Sequence, residues 1–509
     1  MAYDPEEHKY NRATLSPKEQ AKLFPDEPSK VPSMVYVLNE GQQNALDWLV
    51  DFCLGKTSFK RVSFQGYAGT GKTFTLNRMV EAVRKLKPEI TFGMTAPTHK
   101  AVRVLKRHSE LKRELDFGTI HSFLALKQKI NQTTGEVSFE PDYSGEFGRK
   151  IDKINVLIVD ESSMLHDSLF GFLEEELNTR NNLRIIYTGD GLQINPVMSD
   201  KEKKARGGLK AIPFLPVHRE KYKIHMVELT EPQRQAANSP IIMYAHAIRA
   251  QHKNQSIFFE FKEEYKHALE VVPRTWPVLE SLFKQYFDSA EFQEDPDYVK
   301  VLCWRNSQVN WFNDKIRRMI YKDHPEEVLP KLLHGEKVLM DEAFIKAEKA
   351  VLPNNEEVVV INPKVIDFPV KYNLIENVFG GESKEAREHT FKVYACELET
   401  PEKFKYSVVV LHEDSQADYD RIRESIKQAA FKAVGYERSN MWKEFYKMQN
   451  RFAWIKYNYA LTAHTSQGSS YDYCFSVEFD MNNNRNIEER NSLKYVAATR
   501  PRTKLFLIQ

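Results

Sequence analysis

Short hydrophobic runs closed by glycine, proline or an acidic pair alternate with segments of helical period through the first half of the chain. RVSFQG (61–66), TFGMTAP (91–97), NVLIVDE (155–161) and LRIIYTGD (183–190) have the composition of buried strands. LVDF (49–52), FTLNRMVEAVRKL (74–86) and a segment from Thr98 onward read as helices between them. That alternation predicts a parallel sheet wrapped by helices. Residues 126–150 interrupt it: polar NQTTGE (131–136) predicts a hairpin turn. A second α/β set is expected over about 222–325, with VLCWRN as a strand and VNWFNDKIRRMI as a helix. EKVLM, EEVVVINPKVI, FKVYACELET and KYSVVVL then predict short strands over 326–410, suggesting a small β-barrel inserted in the second set. Residues 413–455 read as helical and carry Trp442, Phe445, Tyr446, Phe452 and Trp454. The sheet pattern returns at YNYALTAH and CFSVEF and ends on KLFLIQ. Residues 1–32, polar and proline-punctuated, read as an extension or surface strap.

Bulk properties narrow the class. At 509 residues the chain exceeds one core. A net charge of +2 does not advertise nucleic acid, although basic HKAVRVLKRH (99–108) stands apart from acidic EEEL (174–177). Cys53, Cys303, Cys396 and Cys474 are far apart and form no CxxC pair, so buried free thiols are expected rather than a zinc or redox centre. No apolar run reaches membrane-spanning length, and the first residues lack the apolar core of a signal peptide. These features predict a soluble enzyme of the cytoplasm.

GYAGTGKT (66–73) supplies the chemistry. Between a strand and a helix it is a phosphate loop: Gly66, Gly69 and Gly71 let backbone N–H groups, that of Thr70 among them, turn inward. Lys72 offers a charge to the β- and γ-phosphates, and the Thr73 hydroxyl suits Mg²⁺. Asp160 and Glu161 close a buried strand, as metal holder and as the group that orients or deprotonates water. Gln42 in LNEGQQNAL has the donors and acceptor to read adenine; the other reading of that segment is a helix start capped by Asn39. Gln193, after Gly-Asp, suits a γ-phosphate sensor, and Arg234 and Arg500 are candidates to reach the nucleotide from a second domain. These residues predict binding and hydrolysis of a nucleoside triphosphate.

The ordered series LNEGQ, GYAGTGKT, TAPTHKA, TIHSF, VDESSM, GDGLQINP, EPQR, LTAHTSQGSSYD and YVAATRPR resembles the motifs of superfamily 1 helicases, subgroup B. It is most like the phage Dda-type enzymes, with RecD-like and Pif-type enzymes as relatives. The likeness runs from about residue 35 to the end and is weak over 202–220 and 412–455. It implies an α/β fold of two RecA-like P-loop domains, 33–221 and 222–325 plus 456–509. A β-hairpin pin lies in the first (126–150), and an SH3-like β-barrel with a helical tower (326–455) is inserted in the second. It implies ATP and Mg²⁺ as cofactors, Gln42 at the adenine, Glu161 as base, Gln193 as sensor, and Arg234 and Arg500 as arginine fingers. Pro97, Thr98, His99, Thr119, His121, Thr462 and His464 would line a single-stranded DNA path.

Partners implied are single-stranded DNA and forked duplex, with a single-strand-binding protein beside them, for a monomer moving 5′ to 3′. Phe139, on the return strand of the pin before Pro141, is read either as packing or as a stacking platform at the fork, with Tyr143 and Phe147 as other wedge candidates. The helical segment is read as core packing or as a brace for the pin. Alternatives to a helicase are a translocase that strips proteins from DNA and a silent single-strand clamp; the intact motif residues disfavour the clamp.

Overall fold

In the computed structural model, the described residues are 38–96, 98–108, 115–144, 148–194, 210–231, 238–295, 297–324, 329–346, 349–378 and 381–509. Six parallel strands form a first sheet in the order Leu115–Thr119, Phe92–Ala96, Val156–Val159, Arg184–Gly189, Arg61–Gly66, His225–Leu229. Their alternation of side chains sorts two apolar faces. Val156, Ile158 and Ile186 pack with Leu49, Phe52, Met79 and Val83 of the helices Glu40–Cys53 and Lys72–Leu86. Leu157, Val159, Ile185 and Tyr187 face Phe170, Leu173 and Leu177 of the helix Asp167–Thr179.

One boundary differs from expectation. The strand His225–Leu229 pairs in parallel with Arg61–Gly66 and so completes the first sheet, rather than opening a second unit at residue 222. Its apolar residues resemble the start of a new α/β set, but the open edge of Arg61–Gly66 takes them.

A second parallel sheet follows, in the order Ala460–Thr462, Val299–Cys303, Tyr471–Val477, Pro501–Ile508, Leu269–Val272. One face packs on the helices Pro240–Ala250 and Ile487–Ala498, the other on Trp276–Phe287 and Asn306–Ile320.

Between its strands sits an antiparallel sheet of Lys337–Met340, Glu357–Val378, Gly381–Glu399, Lys405–Leu411 and Ile455–Tyr457. The short strands read from sequence are here a long hairpin, of 22 and 19 residues in its two arms. The alternation persists into polar sequence because one face stays buried: Val370, Phe391 and Val393 lie under Tyr419, Ile422, Trp442 and Phe445 of the helices Gln416–Lys432 and Gly435–Gln449. The four cysteines are buried and free. Among the described residues no helix is long and apolar enough to cross a membrane.

Candidate functional site

The phosphate loop joins the strand Arg61–Gly66 to the helix Lys72–Leu86 at the carboxyl end of the first sheet. Gly69 and Gly71 take φ of +80° and +84°, a region costly to side-chain-bearing residues. A Cβ on Gly66 would lie 2.7 Å from Thr70 Oγ1 and 3.2 Å from Lys72 Cγ, so the turn closes on bare backbone. Thr70 is buried and its hydroxyl donates to Tyr67 O at 2.8 Å. The Lys72 ammonium donates to Gly66 O and, at 3.4 Å, to Tyr67 O. Thr73 is exposed in the first turn of the helix.

Gln42 is buried and its amide is engaged twice: Nε2 donates to Thr70 O at 3.0 Å, and Oε1 accepts from Asn39 N at 3.2 Å. With Asn39 Oδ1 accepting from Gln42 N at 2.7 Å this is a reciprocal capping box. Gln42 thus ties the helix start to the phosphate loop.

Asp160 and Glu161 follow the strand Val156–Val159, two strand positions from the phosphate loop. Burial first, then the charge of Glu161, pushes the Asp160 carboxyl up to about 7, with Lys72 opposing. Such a pair welcomes a cation. Glu161 sits at φ +48°, in the left-handed region where the chain turns out of the strand. Gln193 is buried and its Oε1 has no partner, an acceptor left open at the same sheet end. The open Gln193 carbonyl, the cradle at Gly66 and the two carboxylates fit a nucleoside triphosphate with its divalent cation.

The second unit reaches this site through residues the sequence reading did not single out. Tyr495 OH donates to Asp190 Oδ2 at 2.5 Å and accepts from Ala68 N at 3.3 Å. Arg249 pairs with Asp190 Oδ1 at 3.0 Å, its guanidinium 4.5 Å from the Tyr67 ring centre. Gln467 Nε2 donates to Ile194 O at 3.0 Å. A tyrosine inside a glycine loop was the available signal for this contact. Arg500, by contrast, bonds within its own unit, to Val496 O, Ser469 O and Thr499 Oγ1 at 3.0 to 3.1 Å.

The expected strand-path residues sit at turn starts of the first and second units. Thr98 Oγ1 accepts from Ala101 N, Thr119 Oγ1 from Ser122 N, and Thr462 Oγ1 from Thr465 N, so each threonine caps a turn. His121 stands 5.1 Å from the Phe139 ring, edge-on, and the proximity of His99 helps keep its imidazole neutral after the effect of burial. The His464 imidazole is also held below its ordinary value by burial. The helix His99–His108 is tied across: Lys100 pairs with Asp297 at 2.7 Å, Arg103 pairs with Glu356, and a Cβ on Gly468 would meet Ala101 Cβ at 2.8 Å.

The hairpin falls where NQTTGE placed it, as Leu126–Ile130 and Val137–Pro141, with Phe139 opposite Gln128 and 44% exposed. Its turn meets the helical pair. Tyr446 OH donates to Gly135 O at 2.5 Å, and Trp442 lies directly over Gly135. Trp442, Phe445 and Phe452 are core, as the packing reading expects, and Trp442 also touches the hairpin. Tyr143 is exposed, with Arg149 4.8 Å above its ring. Pro97, Phe147, Arg234 and residues 1–32 lie outside the described residues.

Residues 37–265 match the family model of an AAA domain, and residues 457–508 that of the UvrD-like helicase C-terminal domain. A protein of Acanthamoeba polyphaga mimivirus, R530, is 25% identical over 521 aligned residues, covering 93% of this chain and 100% of its own. MJ1519 of Methanocaldococcus jannaschii is 27% identical over 163 residues, 32% of this chain and 14% of that protein. Among solved structures, a Bacteroides Pif1 helicase in complex with ADP-AlF3 and ssDNA is 16% identical, with 92% of each chain covered and a TM-score of 0.47. The Candida albicans Pif1 helicase is 16% identical, covering 93% of this chain and 94% of that one, with a TM-score of 0.42. The family models thus mark an AAA domain over residues 37–265 and a UvrD-like helicase C-terminal domain over 457–508, and the nine motifs in their order resemble those of the superfamily 1 helicases, subgroup B.

Proposed function

We propose that the protein is an ATP-dependent DNA helicase that moves 5′ to 3′ on single-stranded DNA and opens duplex at forks. The observation that carries this reading is a phosphate loop and acidic pair on one parallel sheet, touched at Asp190 and Ala68 by a second parallel sheet unit. The working units are a first RecA-like domain bearing the hairpin as a pin, a second RecA-like domain, and an inserted SH3-like domain with a helical tower. Thr73 and Asp160 would hold Mg²⁺, which when bound would offset the negative charge of the triphosphate.

Lys72 leaves the carbonyls of Gly66 and Tyr67 to meet phosphate. Glu161 orients and deprotonates the attacking water. Gln193 accepts or donates at the γ-phosphate, and Arg234 and Arg500 complete the site from the second domain on closure. Gln42 reads the adenine with its remaining amide hydrogen. Closing and opening change the distance between two strand grips, one at Thr98, His99, Thr119 and His121, the other at Thr462 and His464. Capped turn starts suit phosphate contacts, which carry no sequence information. Each base pair opened costs roughly 0.6–2.2 kcal/mol of stacking, so a firm wedge at the pin matters more than force.

Unwinding of forked substrates carrying either a 5′ or a 3′ single-stranded tail tests the proposal. Opening only of the 5′-tailed substrate is expected. Opening of the 3′-tailed one alone reverses the polarity, and strand-stimulated ATPase without opening of either favours a translocase that strips bound proteins.

A further inference from the structure

The contact at Asp190 is more heavily built than a passing touch between domains. Asp190 is 1% exposed and ends the strand Arg184–Gly189 of the first sheet. Its carboxylate accepts from Leu192 N at 3.0 Å, from the Arg249 guanidinium at 3.0 Å and from Tyr495 OH at 2.5 Å. Two of these three partners belong to helices of the second unit, Pro240–Ala250 and Ile487–Ala498. A buried carboxylate needs such partners to replace the hydration it loses. Burial, and then the charge of Asp190, raise the Tyr495 hydroxyl well above its ordinary value, which keeps it a donor.

Both second-unit groups also touch the phosphate loop. Tyr495 OH accepts from Ala68 N at 3.3 Å, and Arg249 stacks on Tyr67 while His246 meets that ring edge-on at 4.8 Å. On the first unit, Asp190 O in turn accepts from Gln193 N at 3.1 Å. One cluster around buried Asp190 therefore joins the loop that cradles phosphate, the loop that carries Gln193, and two helices of the second unit.

We propose that Arg249 and Tyr495 are positioning residues for ATP hydrolysis, setting the phosphate loop at Tyr67–Ala68 and the Asp190–Gln193 loop only when the second unit is docked. The proposal rests on the ATPase reading above. Neither group touches the reacting phosphate; each acts through Asp190 and the loop backbone. Strand binding that favours docking then raises turnover through this cluster as well as through the arginines that closure brings to the nucleotide.

The test uses the full chain, as wild type, Tyr495→Phe, Asp190→Asn, Arg249→Lys and the Asp190→Asn/Tyr495→Phe double variant. Steady-state ATPase is followed against ATP concentration with and without an oligothymidine strand, beside binding of a fluorescent ADP analogue and thermal melting. Tyr495→Phe should bind the analogue within about threefold of wild type and lose about tenfold in strand-stimulated kcat, a change of ~1.4 kcal/mol in the barrier. The double variant should be no worse than Asp190→Asn alone, since both changes break the Tyr495–Asp190 contact. Arg249→Lys, which keeps the charge but not the planar stack on Tyr67, should also lose strand stimulation. Wild-type kcat and stimulation in Tyr495→Phe overturn the proposal, as does a rise in KM at unchanged kcat. If Tyr495→Phe melts early, Arg249→Lys decides by the same criteria. A wild-type protein without strand-stimulated hydrolysis would instead sink the ATPase reading itself.

Discussion

Substitution of Gly135 by alanine should uncouple unwinding from ATP hydrolysis. Gly135 closes the turn of the hairpin at φ +73°, and a Cβ there would lie 2.5 to 2.6 Å from three atoms of the Trp442 indole. Real carbon atoms do not approach so closely, so the turn or the indole must move. The left-handed backbone adds roughly 1–2 kcal/mol of strain for alanine. Movement also breaks the bond from Tyr446 OH to Gly135 O, and a buried carbonyl left unpaired costs about 1–3 kcal/mol. Together the docked hairpin loses roughly 2–5 kcal/mol. A hairpin that was docked nearly all the time would become undocked for much of it. Tyr446→Phe removes only the hydroxyl and is the graded control.

The assay pairs fork unwinding by fluorescence with ATPase on single-stranded DNA. Gly135→Ala should keep ATPase within about twofold and lose most unwinding, with Tyr446→Phe between it and wild type. Gly135→Ala unwinding at the wild-type rate refutes the argument, because the collision is then relieved without cost. A parallel fall in both activities also refutes it, placing the defect in the motor.

Lys72→Ala should abolish hydrolysis while the protein keeps its melting temperature, since the ammonium meets only loop carbonyls in this structure; wild-type turnover would remove the ATPase assignment. Glu161→Gln should bind ATP and stall, because an amide accepts no proton from water; hydrolysis within about threefold of wild type would require another base. Phe139→Ala should retain ATPase and lose unwinding if the ring stacks on a base, an interaction of roughly 1–3 kcal/mol; equal loss of both would make its contact with His121 structural. The imidazoles of His121, His246, His252 and His464 lie below the ordinary 6.5 through burial. The unfolded chain therefore takes up protons near pH 6.5 that the folded chain refuses, so stability is full above that value and falls as pH drops through it. Melting temperatures measured from about pH 7.5 to 5.5 should decline; a flat or rising profile contradicts the assignment.

Local signals were legible where chemistry and strand geometry coincide. Gly-rich sequence between RVSFQG and a helical period specifies the phosphate loop, and the polar NQTTGE specifies a turn whose Asn131 side chain accepts from Thr133 N and Thr134 N. Pairing across long separations was not legible. HMVEL carries no mark saying which sheet edge it will meet, and only the free edge of Arg61–Gly66 decides it. The length of the hairpin arms was hidden because every second residue faces solvent and breaks the apolar runs. Gln42 was read by its hydrogen-bonding capacity alone; the fold spends part of that capacity on Thr70 and Asn39. The Asp190 cluster is assembled from positions 67, 190, 249 and 495, too scattered for any spacing rule.

The order of strands in the second sheet has a consequence for how the chain is made. Leu269–Val272 and Val299–Cys303 emerge early, yet they are not neighbours: the first pairs with Pro501–Ile508, the second with Ala460–Thr462 and Tyr471–Val477. At ribosomal speeds of about 5–20 residues per second, Val299–Cys303 waits roughly 8 to 30 seconds for its first partner. Throughout that time both its edges and its apolar faces lie open, while the antiparallel insertion is being completed beside it. The first sheet, whose last strand ends at Leu229, can already be closed. The nascent protein thus passes through a stage with one finished nucleotide-binding half and one unpaired, sticky half. In that stage it depends on chaperones or on rapid completion of its last fifty residues, and truncation near the carboxyl end should aggregate the chain rather than merely inactivate it.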